Sequence, residues 1–222
     1  MAYDLEEQEQ IDTLKAWWKQ YGNAVTWAAI IGLSSYAAWT AWTNYQQGQS
    51  KQAATLYEEM ERSVAAKDNA KVQAANHALV EKFGKTSYAT MASLTAAKSA
   101  YDANDVKTAK TQLSWVIDHS SVAELKMLAK LRLSAILLDE KSYDAALAAI
   151  AGNGSDEFAG DVLDRKADIF VAQNKIAEAR DAYKQAFVKM GEKHAGRQLV
   201  QIKLDAIGGS AESSTNKNSD KK

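Results

Sequence analysis

No run of this chain alternates apolar and polar residues with the two-residue period of a strand. Proline is absent and alanine abounds, so the pattern predicts helix throughout. One stretch departs from amphipathic spacing. Between Lys19 and Lys51 there is no acidic or basic residue, and within that window lies NAVTWAAIIGLSSYAAWTAWTNY, residues 23–45. As a helix these residues would be about 34 Å long, against a hydrocarbon core of about 30 Å. Only Val25, Ile30, Ile31 and Leu33 are strongly aliphatic, and alanine inserts weakly. The flanks favour a membrane. Trp17, Trp18 and Tyr21 precede the stretch and Trp39, Trp42 and Tyr45 close it, as two headgroup-level aromatic belts would. Thr26, Ser34, Ser35, Thr40 and Thr43 can bond back to helical carbonyls. A span at 23–45 is expected; a helix packed in the core of a soluble helical protein is the alternative.

Ahead of the span, Leu5, Ile11, Leu14, Trp18 and Tyr21 fall broadly on one helical face. Asp4 and Glu7 fit a capping box. Residues 1–22 therefore read as an amphipathic leader suited to the headgroup layer. Lys15 and Lys19 outnumber Lys51 at close range, which places the leader in the cytoplasm and the body outside the inner membrane, in a periplasm.

The body, residues 46–207, repeats. KVQAANHALVEK, DVKTAKTQLSWV, SYDAALAAIAGN and KIAEARDAYKQA align on Val72, Val106, Tyr143 and Ile176, with spacings of 34, 37 and 33. Three residues on stand Ala75, Ala109, Ala146 and Ala179; seven on stand Leu79, Leu113, Ile150 and Tyr183. Nine before stand Ser63, Ala97, Ser134 and Ala167. Small residues where two helices cross, and large ones between pairs, are the tetratricopeptide pattern. The repeat's usual closing proline and early tryptophan are missing, and the first unit fits worst. The expected fold is all-α: one N-terminal transmembrane helix, then an α-solenoid of degenerate tetratricopeptide-like pairs, with an irregular bundle as alternative. Residues 208–222, GGSAESSTNKNSDKK, read as a disordered tail.

This architecture, with the leader LKAWWKQYGN, the stretch SYATMASLTAAKSAYDANDVKTAKTQL and AEARDAYKQAF, resembles the YfgM-type ancillary subunit of the SecYEG translocon. The likeness runs from residue 5 to about residue 207. It implies an inner-membrane protein with a periplasmic repeat domain. It also implies association with SecYEG and a PpiD-type membrane-anchored chaperone, and assistance to exported chains between the two.

Composition narrows the chemistry. Net charge is −1. Five acids against two lysines make the leader negative and leave the body nearly neutral, which argues against nucleic acid. Cysteine is absent, and His77, His119 and His194 stand in separate units. Asn153–Ser155 matches a glycosylation sequon, though an inter-helix turn explains it better. No phosphate loop or hydrolase motif appears, so neither cofactor nor catalysis is expected.

Three interaction sites are expected instead. Ala24, Ala28 and Gly32 form a small-residue face for docking on another membrane helix. Tyr57, Met60, Val64, Met91, Leu94 and Tyr101 would line an apolar groove suited to unfolded exported chains or a partner's helix. Asp161, Asp164 and Asp168, at i, i+3 and i+7, would receive a basic partner segment.

Overall fold

Helix is the only regular structure among the residues described by the computed structural model, which are 3–152 and 156–209. The helices are α1 (Tyr3–Ala65), α2 (Asn69–Phe83), α3 (Ser87–Asp102), α4 (Val106–His119), α5 (Ala123–Asp139), α6 (Tyr143–Ala149), α7 (Ala159–Ala172), α8 (Ile176–Lys189) and α9 (Arg197–Ala206), with a 3-10 turn at Asp156–Phe158. The turn expected at Asn153–Ser155 and the tail beyond Gly209 lie outside the described residues, as do the side chains of the Asp4–Glu7 pair. The chain divides into two compact units, Met1–Gln52 and Ala53–Lys222.

The first unit is a stretch of α1 without a core. Its large apolar side chains from Val25 to Tyr45 are 39 % to 70 % exposed, the extremes being Val25 and Leu33. Within this unit no core covers residues 23–45. The threonine expectation holds: Thr26 donates to the Gly22 carbonyl at 2.7 Å, Thr40 to Tyr36 at 2.9 Å and Thr43 to Thr40 at 2.9 Å. On mean hydropathy, however, no helix among the described residues is long and apolar enough to cross a membrane. Alanine, hydroxyl and aromatic residues dilute the four strong aliphatics of residues 23–45.

In the second unit consecutive helices pack antiparallel, α2 on α3, α3 on α4, α4 on α5, α5 on α6, α7 on α8 and α8 on α9. The repeat is written in the backbone between the helices of each pair. Lys67, Asn104, Lys141 and Asn174 all take a left-handed φ of 56° to 61°. In each case this residue's N–H donates to a carbonyl three back, and the next residue's N–H to one five back, as in Asn104 to Tyr101 (2.9 Å) and Asp105 to Ala100 (2.8 Å). That is a helix C-terminal cap of Schellman type, built here without glycine. Recurrence of one cap in four pairs, with helices packed chiefly on their neighbours in sequence, fits an α-solenoid.

These caps correct the register of the first repeat. Their order places Asn69, not Val72, beside Val106, Tyr143 and Ile176, and the spacings become 37, 37 and 33. Val72 then stands where Ala109, Ala146 and Ala179 stand, and all four are fully buried. Met60 takes the place of Ala97, Ser134 and Ala167, and Asn76 that of Leu113, Ile150 and Tyr183. Ala75, three residues past the crossing position, imitates the alanine of the other repeats and accounts for the shift. The first pair is thus closed by larger residues, Met60 and Val72, packed with Ala53, Leu79, Ala92 and Ala96.

At the far end α9 closes the array. Val200 and Leu204 bury against Ala167, Tyr183, Ala186 and Met190. Gly160 lets α7 approach this corner, since a Cβ there would meet the Met190 Cγ at 2.5 Å.

Candidate interaction surfaces

The expected apolar groove does not form as a set. Met60 is fully buried with Val72 and Leu79, and Leu94 joins the core of Leu113 and Val116. Both are corrected from groove to core; the three-residue slip explains Met60. Tyr57 is half-buried, its ring 5.9 Å from that of Tyr88 and its hydroxyl 3.4 Å from Thr95 Oγ1. Val64, Met91 and Tyr101 remain exposed.

Two clefts lie where the groove was sought. One, of about 310 Å³, opens between α3 and α5 over Ala97, Leu113, Ala135 and Ile136, with Tyr101 and Arg132 at its rim. The other, of about 540 Å³, lies beside α3 between Val64, Lys67 and Asn69, and is more polar. They share Lys98 and Asp102, which pair at 2.5 Å. Tyr101 donates to Asp139 at 2.8 Å, and that carboxylate holds the phenol above its ordinary pKa. Sequence reasoning missed Lys98 and Arg132. The visible signal was small: alanines 97 and 135 on successive first helices leave room between α3 and α5.

The three acids of α7 do share one face, but they are occupied from within. Lys203 on α9 reaches both Asp164 (2.9 Å) and Asp168 (2.8 Å). Tyr183 donates to Asp168 at 2.6 Å, and His194 lies 3.3 Å from Asp161. Burial raises the Asp164 carboxyl above the usual range, opposed by the Lys203 ammonium. Burial, then the hydrogen bond to Asp168, pushes the Tyr183 phenol up as well. The stripe expected to receive a partner's basic segment instead receives α9, because a lysine two helices further along supplies the charge.

Ala24, Ala28 and Gly32 are exposed, and a Cβ added at Gly32 would meet nothing within 4 Å. The face is open. Among the described residues no group of three His, Asp or Glu side chains could hold a metal ion. His119 stacks on Trp115 at 4.8 Å, and His77 stands 3.7 Å from Glu81.

A family model described as a tetratricopeptide repeat-like domain matches residues 15–209. The chain is 32 % identical to the ancillary SecYEG translocon subunit of Neisseria gonorrhoeae, over 93 % of this chain and 100 % of that one. It is 30 % identical to the protein of the same name from Haemophilus influenzae, again over 93 % and 100 %. With that of Escherichia coli it shares 25 % identity over 90 % of this chain and 96 % of the other. No solved structure matches.

Proposed function

Because the chain belongs to the tetratricopeptide repeat-like family of ancillary SecYEG translocon subunits, we propose that it is a non-enzymatic inner-membrane scaffold. In this reading it associates with SecYEG and with a PpiD-type membrane-anchored chaperone, and assists exported chains passing between them. The observation that carries it is the uncovered surface of residues 23–45. A charge-free helical stretch that exposes Trp27, Ile31, Leu33, Trp39 and Trp42 to water would associate with almost anything apolar. Lipid and the helices of a membrane partner are the surroundings that such a stretch fits.

The modest hydropathy of the stretch refines the reading rather than ending it. An alanine-rich helix gains little from lipid alone, but its small side chains let another backbone approach closely. The open face of Ala24, Ala28 and Gly32 would supply that contact. The leader then stays cytoplasmic beside Lys15 and Lys19, and the solenoid lies in the periplasm. The clefts along α3 are where a segment of a partner or of an exported chain would sit.

Two measurements test this. Carbonate-washed membranes should retain the chain; release to the supernatant would leave a soluble adaptor that uses the same helix on folded partners. Photo-crosslinkers at residues 28 and 32 should capture a translocon or chaperone helix, and leucine at both positions should reduce that capture without releasing the chain. Unchanged capture would remove the small-residue face from the proposal.

A further inference from the structure

The cleft between α3 and α5 has an unusual electrostatic balance. Its floor is core, with Ala97, Leu113 and Ile136 almost wholly buried. Of the carboxylates near its rim, Asp102 is paired with the Lys98 ammonium, while Asp139 accepts from the neutral Tyr101 hydroxyl and keeps its charge. Arg132 is different: its one hydrogen bond among the described residues is Nη1 to the Leu94 carbonyl at 3.4 Å, and no carboxylate among them lies within ion-pair distance. A guanidinium carries five donors, so most of Arg132's are left to solvent. The adjoining cleft repeats the theme, for Lys67 at its edge likewise has no carboxylate partner among the described residues.

We propose that the α3–α5 cleft recognises an extended acidic-apolar segment of a protein partner, seating an apolar side chain on Leu113 and Ile136 and a neighbouring Asp or Glu on Arg132. The volume supports a side chain rather than a helix: about 310 Å³ is at the small end of ligand pockets, which run from roughly 300 to 1,000 Å³. The charge supports an acid. Arg pairs with a carboxylate through two parallel N–H bonds, and that geometry supplies specificity as well as attraction. Because the second cleft shares Lys98 and Asp102 with the first, the segment runs across α3, and Lys67 receives a second acid. This inference deepens the scaffold reading and rests on it for the existence of a protein partner.

The test uses the full chain in nanodiscs of uncharged phosphatidylcholine. The probes are fluorescein-labelled, N-acetylated peptides of alternating composition, (Gly-Leu-Glu)3, (Gly-Leu-Gln)3 and (Gly-Leu-Lys)3, with empty nanodiscs as blank. Anisotropy should show saturable binding of the Glu peptide, about tenfold tighter than the Gln peptide. Arg132→Gln should erase that preference, and Arg132→Glu should transfer it to the Lys peptide. Ala135→Trp should weaken Glu and Gln peptides alike by filling the cleft. Arg132 is exposed, so neither change at that position touches the core, and helical circular dichroism checks the Trp variant. Equal binding of Glu and Gln peptides, a preference that survives Arg132→Gln, or no saturation by about 1 mM would overturn the proposal. If the peptides behave alike while membrane retention and crosslinks at residues 28 and 32 persist, the acidic ligand is wrong and the scaffold stands. A tenfold Glu preference that persists when those crosslinks fail supports the cleft on its own.

Discussion

A single buried asparagine shows how this solenoid tolerates a polar residue at a position that elsewhere is large and mostly apolar. Asn76 occupies the place of Leu113, Ile150 and Tyr183, and is almost wholly buried. It accepts from Ser93 at 3.1 Å and donates to Gln112 at 2.9 Å, so both ends of the amide are satisfied. Asn76→Ala strands the Ser93 hydroxyl and should destabilise the protein by about 1–3 kcal/mol in denaturant unfolding. Asn76→Leu combined with Ser93→Ala should recover most of that loss, since no hydroxyl is then stranded and the half-buried Gln112 amide, which loses its Asn76 donor, can turn to water. A second residue-scale expectation concerns the caps. Asp68 and Asp105 accept from the third residue of α2 and α4; the Lys71 backbone N–H holds the Asp68 carboxyl below 3.8, and the Thr108 side chain, then its backbone N–H, does the same for Asp105. The folded state thus binds their protons less tightly than the unfolded chain does. Their contribution is complete above pH 3.8 and fades as pH falls through the lowered values. Asparagine caps nearly as well but does not titrate. Asp105→Asn should therefore leave stability at pH 7 almost unchanged and flatten the acid limb of the unfolding profile.

At the scale of elements, α9 is held by charge as well as by burial. Lys203 faces two carboxylates that share a desolvated corner with Tyr183, and Arg197 lies over the Phe187 ring at 3.7 Å. Lys203→Met would keep much of the stem's packing and leave Asp164 and Asp168 facing each other. A loss of about 2 kcal/mol is expected from the broken charge-assisted bonds, and hydrogen exchange should quicken first in α9. Gly160→Ala should cost about 1–3 kcal/mol by overpacking against Met190; a variant as stable as the parent would show that Met190 can move aside. The elements were legible in the sequence because their periodicity is helical and uninterrupted. The register of the first repeat was not. Its crossing residues are Met60 and Val72 where the other pairs have Ala or Ser, and Ala75, three residues on, mimics the small-residue position. The dependable marker was the cap, where Lys67-Asp68 matches Asn104-Asp105. The acids of α7 were legible as one face, but their partner sits 35 residues beyond Asp168, a pairing that helical periodicity does not report.

For the whole molecule, each helix pair touches chiefly its neighbours, so stability is close to a sum of local and nearest-neighbour contributions. Damage should then stay local: a cavity such as Leu113→Ala, costing about 2–5 kcal/mol, should loosen α3 to α5 before α7 and α8. Hydrogen exchange that quickened uniformly along the body would contradict this. A stack of repeats also has an intrinsic defect, in that each end presents the surface its next member would cover. At the carboxyl end that surface is lined by Ala182, Tyr183 and Ala186, and α9 lies across it. The helix is thereby a terminator: it makes the array finite and denies a growing point to the exposed end of another molecule. A chain ending at residue 196 would leave that apolar face open to the same face of a second copy, and should dimerise with concentration in sedimentation runs while the full chain does not.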